Sequence, residues 1–310
     1  MSGRSWAAIG FLAALWGASY LFIKLGLEDL SPAMVVFLRT ALAALVLVPL
    51  TLRRGAFAGL RTRVGAIVFL AAVQVAGPFL LISIGQEHIS SSLAGILVAS
   101  APIFTVLLVL SLDGRDGATA WSFVGIATGI VGVGLLLGVD VGGDGAALLG
   151  ALLVVLASFG YAVGAIFLKR RLSGLQPVGV VTATMTASAV LVLPLAALTA
   201  PAEVPGAQAL GAMLALGIGG TGIAFYIFYT LIANIGPAKA SLVAYIAPVF
   251  AVLYGVTLLD ENVTAGTLVG LVLILAGSWM AAEGRRPGTA RQAAHAPPRP
   301  LRESAVREAA

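Results

Sequence analysis

Arg39 stands inside the apolar stretch "VVFLRTALAAL". A guanidinium in such surroundings needs a partner, a wet cavity or a route to the interface, which makes it the first candidate for binding chemistry. Three roles are open to it: gripping a carboxylate, tying its helix to neighbouring carbonyls or helix ends, or snorkelling to the outer headgroups. Other polar and aromatic side chains recur at mid-segment positions. They are Trp16, Ser19 and Tyr20 in "LWGASYLF", Gln74, Tyr161, Tyr226 with Tyr229, and Ser241 with Tyr245. Hydroxyls, an amide and an indole of this kind can orient a small solute by hydrogen bonds while the rings wall it in. Packing between helices is the alternative use of each. Ser241, Tyr245, Pro248 and Val252 keep helical spacing and form one stripe. Lys239, just ahead of that stripe, is a candidate inner gate, and His88 at a segment junction reads as a solvated histidine.

Several chemistries are excluded by what these residues are not. The chain has no cysteine and two histidines, and no phosphate-cradling GxxxxGK[ST] motif. The glycine run "GIGGTG" at 217–222 follows no strand signal and suits close helix packing. No catalytic residues, metal site or cofactor is therefore expected, and the chain does not read as an enzyme. All thirteen acids fall in loops, segment ends or the tail. Proton coupling through a membrane-buried carboxylate is accordingly not expected, while exchange, or coupling through His88, Lys239 or the solute itself, stays open.

The elements that must hold these side chains follow from composition. Of 310 residues, 60% are hydrophobic and 10% charged, with a mean hydropathy of +1.05. A soluble globule could not hide that much apolar surface, so an all-α integral membrane protein is expected. Ten apolar runs, each long enough as helix to cross hydrocarbon, are read at 6–25, 33–52, 64–84, 90–111, 119–138, 147–168, 178–198, 209–232, 239–258 and 264–282. Sixteen of the eighteen basic residues fall on one set of ends and loops, leaving Lys24 outside and Arg39 within a span. The positive-inside rule then places both termini in the cytoplasm, with the protein multi-pass in the cell membrane. Residues 283–310 form a basic tail with six Arg and three Glu, read as disordered. The bilayer is a partner; nucleic acid is not, since topology explains the basic charge. Monomer and homodimer are both compatible.

The chain also repeats itself. "LFIKLGLEDLSP" from Leu21 lies over "IFLKRRLSGLQP" from Ile166 at an offset of 145 residues, and Pro49-Leu50 falls on Pro194-Leu195. "APIFTVL" from Ala101 meets "APVFAVL" from Ala247, and "VGIATGIVG" from Val124 meets "VGLVLILAG" from Val269. The halves, 1–138 and 145–282, hold five spans each. An odd number turns the second half upside down, giving two inverted-topology five-helix repeats, an arrangement that places a solute site near the midplane. Pro102 and Pro248 become twins, each expected to kink its helix and free the carbonyl four residues earlier.

At this point the residues resemble a known family. "ALWGASYLFIK", "FLRTALA", "ASAPIFTVL" and "AKASLVAYIAPVFAVLYGVTLLDENVT" followed by "LVGLVLILAG" look like the ten-helix EamA branch of the drug/metabolite transporter superfamily, over about 8–136 and 150–281. The resemblance implies a carrier of small organic metabolites, amino acids or related solutes, working by alternating access and often as an exporter. It implies a cavity lined by the third, fourth, eighth and ninth spans with parts of the first and sixth. Glu261 matches an acid that follows the ninth span in that family and reads as a loop or capping residue. An importer of the same fold, a membrane-embedded lipid-handling protein or enzyme, and a channel or scaffold are the competing readings.

Overall fold

The computed structural model describes residues 2–113, 119–139 and 141–283. Arg115, Asp116, Asp140 and the basic tail beyond Glu283 lie outside the described residues. No strand occurs among those that are described. The helices are α1 (Gly3–Gly26), α2 (Pro32–Arg53), α3 (Arg61–Gln86), α4 (Ser91–Leu112), α5 (Ala120–Val139), α6 (Gly145–Arg171), α7 (Pro177–Leu198), α8 (Ala207–Ile232), α9 (Val243–Leu258) and α10 (Ala265–Glu283).

Local chemistry sets where they begin. Ser31 accepts from the Met34 N–H at 3.2 Å with Pro32 at the first helical position, Ser90 accepts from Leu93 N–H at 3.1 Å, and Asp144 from Ala146 N–H at 2.9 Å. Each satisfies a donor that a helix start leaves orphaned. Gly236, at φ 83°, ends the helical run through Ile235 in a conformation open to glycine. One boundary differs from expectation. The ninth segment is not one continuous helix from residue 239; a four-residue helix, Pro237–Ala240, is followed by a break at Ser241 and Leu242, and α9 starts at Val243.

The two halves dock with pseudo-twofold regularity. α2 lies along α7, α5 along α10, and α4 against α9, each pair being repeat partners. α1 packs on α9 and α8 while α6 packs on α4 and α3, the same contacts with the halves exchanged. Large apolar side chains such as Leu45, Val190 and Val272 are left on the outside, as a lipid-facing surface requires.

The twin prolines behave differently. At Pro102 helix α4 is interrupted at Ala99 and Ser100. Hydroxyls take up carbonyls there: Ser100 and Ser158 donate to the Leu97 oxygen at 2.6 and 3.2 Å, and Ser278 to the Ala99 oxygen at 2.8 Å. Pro248 is instead carried inside a continuous helix. It lies less than two turns from the start at Val243, and the break falls upstream at Ser241–Leu242.

Two further irregularities are repeat partners. α3 widens to a π-helix at Ala71–Ala76 and α8 at Ala215–Ile223, stretches that overlap at the offset of 145. In α3 this precedes Pro78, which has no N–H to return to Gln74; in α8 it coincides with the glycine run.

Close approach elsewhere rests on glycine. A Cβ at Gly277 of α10 would stand 2.6 Å from the Gly125 carbonyl oxygen and 2.7 Å from the Gly129 Cα of α5, whereas one at Gly10 would meet nothing within 4 Å. Gly277→Val is therefore expected to lower stability by about 3 kcal/mol through overpacking. Gly10→Ala should leave it unchanged, and thermal unfolding of both variants in lipid nanodiscs checks the contrast.

Candidate functional site

Five helices bring side chains together around Arg39. The residue is 7% exposed, and its guanidinium carbon lies 3.6 Å from the centre of the Phe79 ring, a cation–π contact. Its Nε–H donates to Thr221 Oγ1 at 2.9 Å, and the Thr221 hydroxyl passes its own proton to the Leu216 carbonyl five residues earlier, at 2.9 Å. That carbonyl belongs to the π-helical stretch of α8, so the threonine fits the wider turn. Tyr20 of α1 and Tyr161 of α6 are the electrostatic neighbours of the guanidinium. Both pack against buried core residues yet remain partly accessible. Neither tyrosine hydroxyl and neither Nη nitrogen of Arg39 has a hydrogen-bond partner among the described residues, and no carboxylate pairs with the arginine there.

Glycines admit these groups. Tyr20 lies against α4 because Gly95 has no side chain; a Cβ there would stand 3.2 Å from the ring. A Cβ at Gly220 would stand 2.8 Å from Ser19 Oγ, and one at Gly217 would lie 2.6 Å from Leu42 Cβ, so the run "GIGGTG" lets α1 and α2 close on α8.

A second polar assembly closes the face opposite the N-terminus. Glu261 accepts from Ser91 N–H at 2.6 Å and Ser92 N–H at 2.9 Å, and from the Ser92 hydroxyl at 2.6 Å. The carboxylate of the α9–α10 loop thereby caps the start of α4 in the other half, where the helix dipole favours an anion. Asp260, at φ 51°, turns the chain so that the Glu261 N–H donates to the Gly255 carbonyl at 3.0 Å. Lys24 of α1 donates to the Gln86 and Ile89 carbonyls at 2.6 and 3.1 Å, covering the end of α3, with Glu261 and Glu87 as its charged neighbours. Beside this lock, Ser83 Oγ, both amide atoms of Gln86 and Ser91 Oγ are buried with no partner. A cavity of 190 Å³ lies next to it, lined in part by His88, Asn262 and Thr267. On the face bearing the N-terminus, a larger cavity of 640 Å³ lies between the start of α1 and the end of α8, with Arg4, Tyr226 and Asn234 in its wall.

The described residues thus form ten apolar helices in two packed halves, and each half also matches a family model. The EamA-like transporter family model covers residues 4–138 and 148–282, one copy on each half. The chain belongs to the EamA-like transporter family. Among curated proteins it is similar to the uncharacterized inner membrane transporter YedA of Escherichia coli K12, with 28% identity over 88% of this chain and 91% of that one. It is also similar to a protein of the same strain named a probable amino-acid metabolite efflux pump, with 25% identity over 92% of this chain and 97% of the other. A solved crystal structure shares the fold at a TM-score of 0.65 and 23% identity, covering 92% of this chain and 99% of that one.

In this EamA-like transporter the sequence-derived candidates separate into groups. Tyr20, Arg39 and Tyr161 come together. Trp16 packs on Phe228 and Phe225 of α8, with ring centres 5.1 and 6.0 Å away, so its aromatic partners come from α8. Ser19 is buried and donates to the Leu15 carbonyl of its own helix at 3.1 Å. Gln74 lies in the π-helical stretch of α3 against Gly164 of α6. Tyr226 is 37% exposed and meets Arg54 through its ring and, at 3.4 Å, its hydroxyl. Ser241 and Lys239 are exposed on the short connection before α9, and Tyr245 is half-buried. The side chain of Tyr229 lies outside the described residues.

Phe79, Thr221 and the assembly around Glu261 and Lys24 were not anticipated as parts of a site. Phe79 sits in an apolar run, and Thr221 was read only as part of a packing motif. The one available signal was Thr221 itself, a hydroxyl between glycines in a predicted span. Replacing Glu261 by Gln leaves a carboxamide facing two backbone donors and a hydroxyl. The expected cost is about 2 kcal/mol, seen as a lower melting temperature and faster amide exchange at Ser91 and Ser92.

Proposed function

We propose that this EamA-like transporter moves small organic solutes, amino acids or related metabolites, outward across the cytoplasmic membrane by alternating access. The observation that carries the reading is the assembly of one buried polar centre from both inverted halves, Tyr20, Arg39 and Phe79 from one and Tyr161 and Thr221 from the other. A site at the repeat interface is exposed to one side or the other when the halves rock. The basic bias of the ends and loops supports cytoplasmic termini. With that orientation, the bonds of Glu261 to Ser91 and Ser92, beside Lys24, are an outer gate in its shut position.

The unpartnered Ser83, Gln86 and Ser91 atoms support a second conformation. Each buried group without a partner costs on the order of 1–3 kcal/mol, and opening the gate would give these groups water. The names of the relatives support transport and, for one of them, amino-acid metabolite efflux.

The test compares solutes inside and outside cells carrying the wild type, an empty vector, or a Trp16→Ala/Tyr245→Ala variant inserted to the same level. A few solutes shifted outward by the wild type alone are expected. Inward accumulation would reverse the direction, and an equal shift by the variant would leave those two side chains without a transport role. Orientation is read separately, because a chain without native cysteine can carry single labels. An impermeant thiol reagent added to intact cells should modify Asn262→Cys and spare Thr62→Cys.

A further inference from the structure

The central group consists almost wholly of unused donors. The Arg39 guanidinium has its Nε–H committed to Thr221 and its face covered by Phe79. What remains is the far edge, where the two Nη nitrogens lie side by side without a partner among the described residues. Tyr20 and Tyr161, its electrostatic neighbours, carry hydroxyls that are likewise unpartnered there. A cation enclosed to 7% exposure needs compensation. Among the described residues the protein supplies a ring face and one neutral hydroxyl, and no acid.

We propose that the Nη edge of Arg39 binds a carboxylate of the transported solute in bidentate fashion, with the Tyr20 and Tyr161 hydroxyls donating to the same anion. This deepens the transport reading and rests on it. The Thr221 bond and the Phe79 ring fix the guanidinium plane, so little side-chain freedom is lost when the carboxylate arrives. The fork of the Nη edge matches the two carboxylate oxygens, and the phenols add directional donors. Because the arginine is tied to α8 while Tyr161 belongs to α6 and Tyr20 to α1, the anion would draw both halves onto one ligand. A neutral or cationic solute would leave the guanidinium uncompensated, so selectivity for an acid over its amide follows from the same geometry.

The experiment uses the purified full-length protein in lipid nanodiscs and reads its melting temperature with benzoate, L-leucine or L-phenylalanine, each beside its carboxamide. At least one acid is expected to stabilise the wild type where its amide does not. Arg39→Gln is expected to weaken that binding about 100-fold, the scale of removing one partner of a buried charge pair. Ligand-free Arg39→Gln should melt no lower than the wild type, because removal of an uncompensated buried charge offsets the lost Thr221 bond.

Should Arg39→Gln fail to fold, Tyr20→Phe/Tyr161→Phe decides, with acid binding expected to fall about 100-fold through loss of two donors to an anion. Any of three results would overturn the proposal. They are equal shifts by acid and amide, acid binding unchanged in the variants, or no shift by any of the three acids. A ligand-free Arg39→Gln protein that melts far below the wild type, matched by Thr221→Val, would assign the arginine to a structural tie instead. The two readings fail separately. Acid-selective binding with no solute leaving cells removes export and keeps the site, whereas export of solutes that all lack a carboxylate does the reverse.

Discussion

Hydrocarbon cannot accept or donate a hydrogen bond, and most of the irregular features of this molecule follow from that. Inside a bilayer, a helix can break or a charge can enter only where the protein or an internal cavity satisfies the exposed groups. The break in α4 is met by hydroxyls from Ser100, Ser158 and Ser278, the last two reaching across from α6 and α10. The wide turn of α8 is met by Thr221, whose oxygen then accepts from Arg39. Backbone irregularity and the buried cation are thus parts of one hydrogen-bonded chain from Leu216 to the guanidinium.

The packing of the halves is symmetric while the chemistry is not. Residues related by the offset of 145 differ where it matters: Arg39 answers to Thr184, Phe79 to Ala224, and Thr221 to Ala76. The twofold relation supplies matching helix contacts and matching π-helical stretches. Substitutions on that frame then give one arginine, one covering ring and one hydroxyl tie. The prolines show the same divergence, one at a break and the other inside a continuous helix, because the second half relocates its irregularity to Ser241–Leu242. At the face opposite the N-terminus the halves are joined by charge, with Glu261 of one capping α4 of the other.

Much of the fold was legible from a few kinds of residue. Apolar run length marked the ten helices because an isolated span must satisfy its own backbone and cross a fixed thickness. The repeat was legible because Pro32 and Pro177, or Pro49 and Pro194, persist at a constant offset. Arg39 was legible as a site candidate because its charge is costly in that setting. Its companions were less so. Nothing local distinguishes the Phe79 under the guanidinium from the other phenylalanines of apolar runs, and nothing in "GIGGTG" shows that the threonine would accept from a residue 182 positions away. Position within the predicted eighth span put Tyr226 among midspan candidates, yet it meets Arg54 at a helix end.

The sequence by itself determined the helix count, the duplication, the inverted relation of the halves and the presence of one misplaced charge. These depend on length, composition and periodicity along the chain. Only the tertiary structure decided which side chains share the centre, which proline marks a break, and which carboxylate closes a helix start. Those outcomes depend on close approaches between helices far apart in sequence, admitted at Gly95, Gly217 and Gly220 by the absence of a Cβ. They depend equally on where a freed polar group finds its partner, and in hydrocarbon that partner must come from another helix.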